Sequence, residues 1–147
     1  MNETAIIGLL ASVVTLALQN ARVRARDAKR AGDMRQMATA MEQYRIAHGI
    51  YPTGTVSIES VGTGAALDDP GSMDGAEEPV IPNYFPFYPV SPFPADGNCL
   101  ADIGRGNNNY WYDVSDDGIN YTLTFCLGKE TGSFAPGAHY VTPDGIQ

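Results

Sequence analysis

Every proline in this chain lies at or after position 52, and the first 51 residues hold only three glycines, Gly8, Gly32 and Gly49. That asymmetry constrains the fold more than any other feature. Proline breaks a helix by removing a donor and clashing with the preceding turn, and interior glycine weakens one. From Gln19 to His48 the sequence is instead dominated by Ala, Arg, Met, Gln and Glu, all good helix formers. Gly49 suits a left-handed C-cap, Ile50 is placed for the accompanying apolar contact, and Pro52 blocks continuation. The reading is one helix of about 43 residues, or about 65 Å, filling most of residues 1–50.

The helix has two halves. Residues 4–18 carry no charge, and Ile6, Ile7, Leu9, Leu10, Val13, Val14, Leu16 and Leu18 surround the axis rather than forming a coiled-coil seam. At about 23 Å this half is short of the roughly 30 Å hydrocarbon core of a bilayer. It also lacks the preceding basic residue of a cleavable signal peptide. Residues 19–48 are amphipathic. Ala31, Met34, Ala38 and Met41, continued by Tyr44 or Ile46, recur at three- and four-residue steps. Met34, Met37, Met41 and Tyr44 are the expected contacts with the rest of the chain. Residues 51–147 can cover only this second half. The first half must find another apolar environment, a bilayer or copies of itself.

Charge divides at the same place. Residues 1–50 carry seven basic and four acidic residues, whereas 51–147 carry two basic and thirteen acidic ones, within a net charge of −8. Phosphate repels so acidic a head, so no specific nucleic acid is expected as a partner. The basic run from Arg22 to Arg30 has three readings: a solvated face, an anchor for phospholipid headgroups, or a partner for the acidic head of a neighbouring copy.

Residues 51–147 read as a β-rich head with a variable loop over 54–106. Val56, Ile58 and Val61 are read as a short strand, followed by acidic loop. The run from Ile81 to Cys99 holds five prolines, and its aromatics Tyr84, Phe85, Phe87, Tyr88 and Phe93 are expected to staple it onto the core. Residues 107–127 read as a hairpin, with Gly118 of D-D-G supplying φ > 0 at the turn. On its second strand Tyr121, Leu123, Phe125 and Leu127 form the core face, and Cys126 points the other way. A last strand is expected at His139–Thr142. Cys99 and Cys126 are the only cysteines. They are read as one disulfide closing a loop across the outer face, worth about 3–4 kcal/mol by chain entropy, the alternative being two buried thiols.

These residues resemble type IV pilins and the major pseudopilins of type II secretion. One carrier is residues 6–53, with an apolar start, the A-R-D-A-K-R collar, D-M-R-Q and a Y-P-T exit. The other is the tail: P-A-D-G-N-C, Y-T-L-T-F-C-L-G and G-A-H-Y-V-T-P-D-G-I. The resemblance covers most of the chain but not residues 54–92. It implies an α+β fold, one long N-terminal helix packed on a small antiparallel sheet. It also implies a structural subunit, not an enzyme, that self-assembles into a helical homopolymer. Such subunits wait in the inner membrane, are assembled by a separate ATPase and membrane platform, and end as a cell-surface filament. The alternatives are a pseudopilin of type II secretion or DNA uptake, and a membrane-anchored surface binding module that never polymerises.

The start departs from the family pattern, in which a basic leader ending in Gly is cleaved and N-methylated ahead of a Phe-Thr-Leu-Ile-Glu-like run. Here Met1-Asn2-Glu3-Thr4 stands in its place, and Glu3 is out of register with the family's glutamate. Cleavage, methylation and the glutamate's role are therefore not carried over, and a truncated or mis-set start or a divergent subunit is expected.

No catalytic residues are expected. His48 and His139 have no nucleophile or metal partner at suitable spacing. Calcium is the one metal suggested. Asp113, Asp116 and Asp117 bunch near the hairpin turn, and related pseudopilins are calcium-stabilised through C-terminal loops. There is no EF-hand spacing, and D-D-G is also explained as a turn.

Overall fold

The structure, a computed structural model, describes residues 2–52, 56–57, 89–104 and 108–147, with 2–4 and 56–57 as backbone alone. One helix, α1 (Asn2–His48), leads into β1 (Val56–Ser57), a single helical turn α2 (Cys99–Asp102), β2 (Trp111–Val114), β3 (Tyr121–Leu127), β4 (Gly137–Thr142) and β5 (Gly145–Ile146). The strands form one antiparallel sheet in the order β1-β2-β3-β4-β5, so each strand pairs with its neighbour in sequence. This is the expected α+β arrangement.

The helix ends as its residues dictate. Gly49 adopts φ 82°, and its N–H donates to the Arg45 carbonyl at 2.7 Å. The chain then turns back onto the sheet. Tyr51 is fully buried, and its N–H donates to the carbonyl of Gly118 at 2.8 Å. Gly118 has φ 68°, which fits the turn residue, and the side chain of Ile50 packs over it. The Tyr112 hydroxyl donates to the Pro52 carbonyl at 2.6 Å. The hairpin turn is thus docked against the helix exit.

The core lies between the helix and one face of the sheet. Met34, Met37, Met41 and Tyr44 from α1 meet Tyr110, Tyr112, Tyr121, Leu123, Phe125, Leu127 and Val141. Each large apolar side chain fully removed from water contributes about 1.5–3 kcal/mol. Tyr44 continues the helix stripe, whereas Ile46 is 85% exposed. Cys126 and Thr124, on the opposite face of β3, are also buried. α2 covers that face, held by the Cys99–Cys126 disulfide.

Two sequence readings change. The stretch before residue 106 is not uniformly irregular, since α2 forms where Cys99 must reach β3. Phe93 does not staple its loop: it is 91% exposed. Of the first expected strand, Val56 belongs to β1, while Ile58 and Val61, like Tyr84, Phe85, Phe87 and Tyr88, lie outside the described residues.

Candidate functional site

The chain presents two adjoining features along α1, a bare apolar half and a pinned half. In the first, Ile6, Ile7, Leu9, Leu10, Val13, Val14, Leu16 and Leu18 are each between 49% and 70% exposed. Leaving eight such side chains in water forgoes on the order of 10 kcal/mol. Two of the segment's hydroxyls turn back onto its own backbone: Ser12 Oγ donates to the Gly8 carbonyl and Thr15 Oγ1 to the Ala11 carbonyl, both at 2.8 Å. The polar groups are therefore satisfied inside the helix, which suits burial among apolar neighbours. By length and composition this helix can cross a membrane; a signal sequence near an N-terminus has the same character.

The pinned half begins at a buried knot of charges. Asp27 and Arg30 are completely buried. Arg30 Nη1 donates to Asp27 Oδ1 at 2.7 Å and to Asp96 Oδ2 at 3.0 Å. Its Nη2 donates to the carbonyls of Pro92 and Pro94, at 2.9 and 3.2 Å. Arg26 grips the same Asp96 with two parallel bonds, Nε at 2.8 Å and Nη2 at 2.6 Å. Asp27 accepts from the backbone N–H groups of Gly128 and Lys129, at 3.0 and 2.9 Å. Two arginines and two aspartates thus balance, and the helix is tied to both chain segments beyond the disulfide.

Burial works to raise the pKa of Asp96, but the bonds from Arg26 and Arg30 outweigh it and hold the carboxyl below its ordinary value. The hydrogen bond to Asp96 likewise raises Arg26. Gly128 is required here by space: a Cβ would stand 2.2 Å from that of Asp96. Neighbouring links extend the seam. Lys29 Nζ donates to Asp33 at 2.8 Å and to the Val90 carbonyl at 3.0 Å. The buried Tyr110 hydroxyl donates to Asp33 at 2.9 Å, and burial pushes its pKa well up. Lys129 Nζ donates to Asn20, two residues past the apolar half.

The collar of Arg22–Arg30 is therefore not a uniform solvated or lipid-facing patch. Arg26 and Arg30 are used within the chain, on its own Asp96, whereas Arg22 and Arg24 are exposed. Sequence reasoning missed Asp27, Asp96 and Gly128. Their signal was the position of P-A-D-G just before Cys99 and of L-G just after Cys126, facing an Asp and Arg three residues apart on the helix.

The hairpin aspartates are not gathered together. Asp117 accepts the Ser115 hydroxyl and the Ile119 N–H at 3.0 Å, an arrangement that lowers its pKa, with Ser115 the larger cause. Asp113 sits in β2 opposite Thr122, and Asp116 is exposed. Among the described residues no group of three or more His, Cys, Asp or Glu side chains is placed to hold a metal. The His139 ring lies tilted against Phe125 and edge-on to Phe134, and His48 stacks on Tyr44.

Compared with protein families, curated proteins and solved structures, the chain gives no match.

Proposed function

We propose that this chain is the structural subunit of a type IV pilus-like filament, a protein that assembles and does not catalyse. The observation that carries the reading is the division of one continuous helix. Residues 27–44 pack against the chain's own head, while residues 5–18 offer apolar side chains that no described residue of the head buries. Packing those halves together buries them, and the heads then form the outer surface. Before assembly the same half lies in the inner membrane, and a separate ATPase and membrane platform drive extraction. The pinned junction supports this use, because a subunit drawn from a membrane by its helix must transmit force to its head.

Immunogold electron microscopy of cells producing the full chain, with antibody to the head, tests the reading. Regularly labelled surface fibres are expected. Label confined to the cell membrane, with the chain extracted by detergent as a monomer, would instead identify an anchored binding module.

A further inference from the structure

Two stretches of this chain carry the Asn-x-Thr pattern that N-linked sugar transferases accept when the middle residue is not proline: Asn2-Glu3-Thr4 and Asn120-Tyr121-Thr122. Their settings differ. Asn2 opens α1 and leads straight into the bare apolar half, whose burial a bulky polar sugar would oppose. Asn120 stands just ahead of β3, at the close of the hairpin turn. The Ser115 N–H donates to its carbonyl at 2.9 Å, which carries the ladder one pair beyond Val114 and Tyr121. The strand alternation therefore extends to Asn120. Tyr121 enters the core, and Asn120 and Thr122 share the opposite face.

That face is open at this end. Thr124 and Cys126 are buried on it, whereas Asn120 is exposed and Thr122 half-buried. The Asn120 backbone is fixed, since its N–H also donates to Ser115 Oγ at 3.0 Å. Its side-chain amide and the Thr122 hydroxyl form no hydrogen bond to any described residue. Asn20, Asn108, Thr131 and Thr142, by contrast, spend theirs on Lys129, Ser91 and backbone carbonyls. A hollow of about 250 Å³ lined by Asp113, Val114, Ser115, Tyr121 and Thr122 lies beside Asn120 and leaves room for a first sugar. The folded head thus holds acceptor and recognition hydroxyl on one accessible face, and a sugar there displaces no internal bond.

We propose that Asn120 is an N-glycosylation site. The co-reactant is a sugar joined through a diphosphate to a membrane lipid, presented by a transferase. Asn120 Nδ2 attacks the anomeric carbon of that sugar. A nitrogen–carbon bond forms, the carbon–oxygen bond to the diphosphate breaks, and the lipid diphosphate leaves with the electron pair. The amide proton passes to a base of the transferase, and nothing is oxidised or reduced. Thr122 supplies the hydroxyl by which the transferase selects this asparagine. The Cys99–Cys126 disulfide fits a head on the oxidising, outer side of a membrane, where such transfer takes place. The site does not depend on the filament reading, since an anchored head on that side would carry it equally. The hairpin turn docks at the helix exit, where Tyr51 N–H bonds the Gly118 carbonyl. The sugar therefore stands about 45 Å along α1 from Leu18 and leaves the bare half free to associate.

The test is tandem mass spectrometry of the full chain purified from the cells that make it, reduced and cut with trypsin. Cleavage at Arg105 and Lys129 releases Asn120 and Thr122 in one peptide, Gly106–Lys129. That peptide is expected to carry the added mass of one or more sugar residues, with fragment ions placing it on Asn120. Asn120→Gln and Thr122→Val, made in the same cells, should each lose the added mass completely, while Thr122→Ser keeps it. All three should melt with the unsubstituted head once the sugar is removed, because neither side chain is bonded within the fold. A bare Asn120 in the native chain would overturn the proposal. So would added mass that survives Asn120→Gln, which would place the sugar on another residue, or that survives Thr122→Val, which would remove the hydroxyl from recognition. Each of these results leaves the filament reading standing, and that reading is decided separately by whether fibres form.

Discussion

Residues 5–18 and 27–44 belong to one unbroken helix, yet they solve opposite problems. The second stretch buries Met34, Met37, Met41 and Tyr44 against its own sheet and buries Asp27 and Arg30 in a charge network shared with Asp96. The first buries nothing, and its Ser12 and Thr15 hydroxyls are turned back onto the helix. Helix formation is the same in both, so secondary structure does not distinguish them. Side-chain environment does: one half is satisfied by the chain itself, and the other is buried by none of the described residues.

The contrast can be broken most forcefully at the knot. Arg30→Met removes the cation shared by Asp27 and Asp96 and strands buried carboxylates, which costs about 3–5 kcal/mol. Thermal unfolding of the head should show a large drop in Tm, and an unchanged Tm would mean the knot does not hold the helix. Replacing both Cys99 and Cys126 by Ala releases a 27-residue separation. Chain entropy predicts a loss of about 3–4 kcal/mol, read as a lower denaturant midpoint.

Acid acts on the same junction more gently. Asp96 has a depressed pKa in the folded chain, so its stabilisation is present above the unfolded carboxyl value of about 4 and disappears as pH falls through the folded value. Head stability measured from neutral pH downward should therefore lose Asp96's contribution only below about pH 4. Asp96→Asn, destabilised throughout, should have a shallower acid limb than the unsubstituted chain. The smallest effect on the fold is expected at the bare half. Leu10→Ala and Val14→Ala should shift head stability by less than about 0.5 kcal/mol. The same pair should weaken membrane partition and filament formation, which sharpens the division: stability belongs to 27–44, association to 5–18.

How much of this was legible depended on the distance over which each choice is made. The Met34–Met41–Tyr44 stripe, the Gly49 stop and the D-D-G hairpin are local, and composition with periodicity exposes them. The disulfide was readable because only two cysteines exist. The knot was not, because a charged helix face looks the same whether water or Asp96, 66 residues beyond Arg30, receives it. Phe93 misled for a related reason. In a run of prolines and aromatics each ring looks like a core anchor, and only the bonds to the flanking carbonyls show that its backbone is fixed while its ring faces outward. Gly128 carries no signature at all until the close approach of Asp96 is known.

Electron cryomicroscopy of fibres assembled from the full chain tests the division of the helix most directly. Residues 5–18 should lie inside the fibre against the same residues of other copies, with residues 27–44 still covered by their own head. A fibre in which 5–18 faces solvent, or in which 27–44 has left its head to pack between copies, would contradict the account.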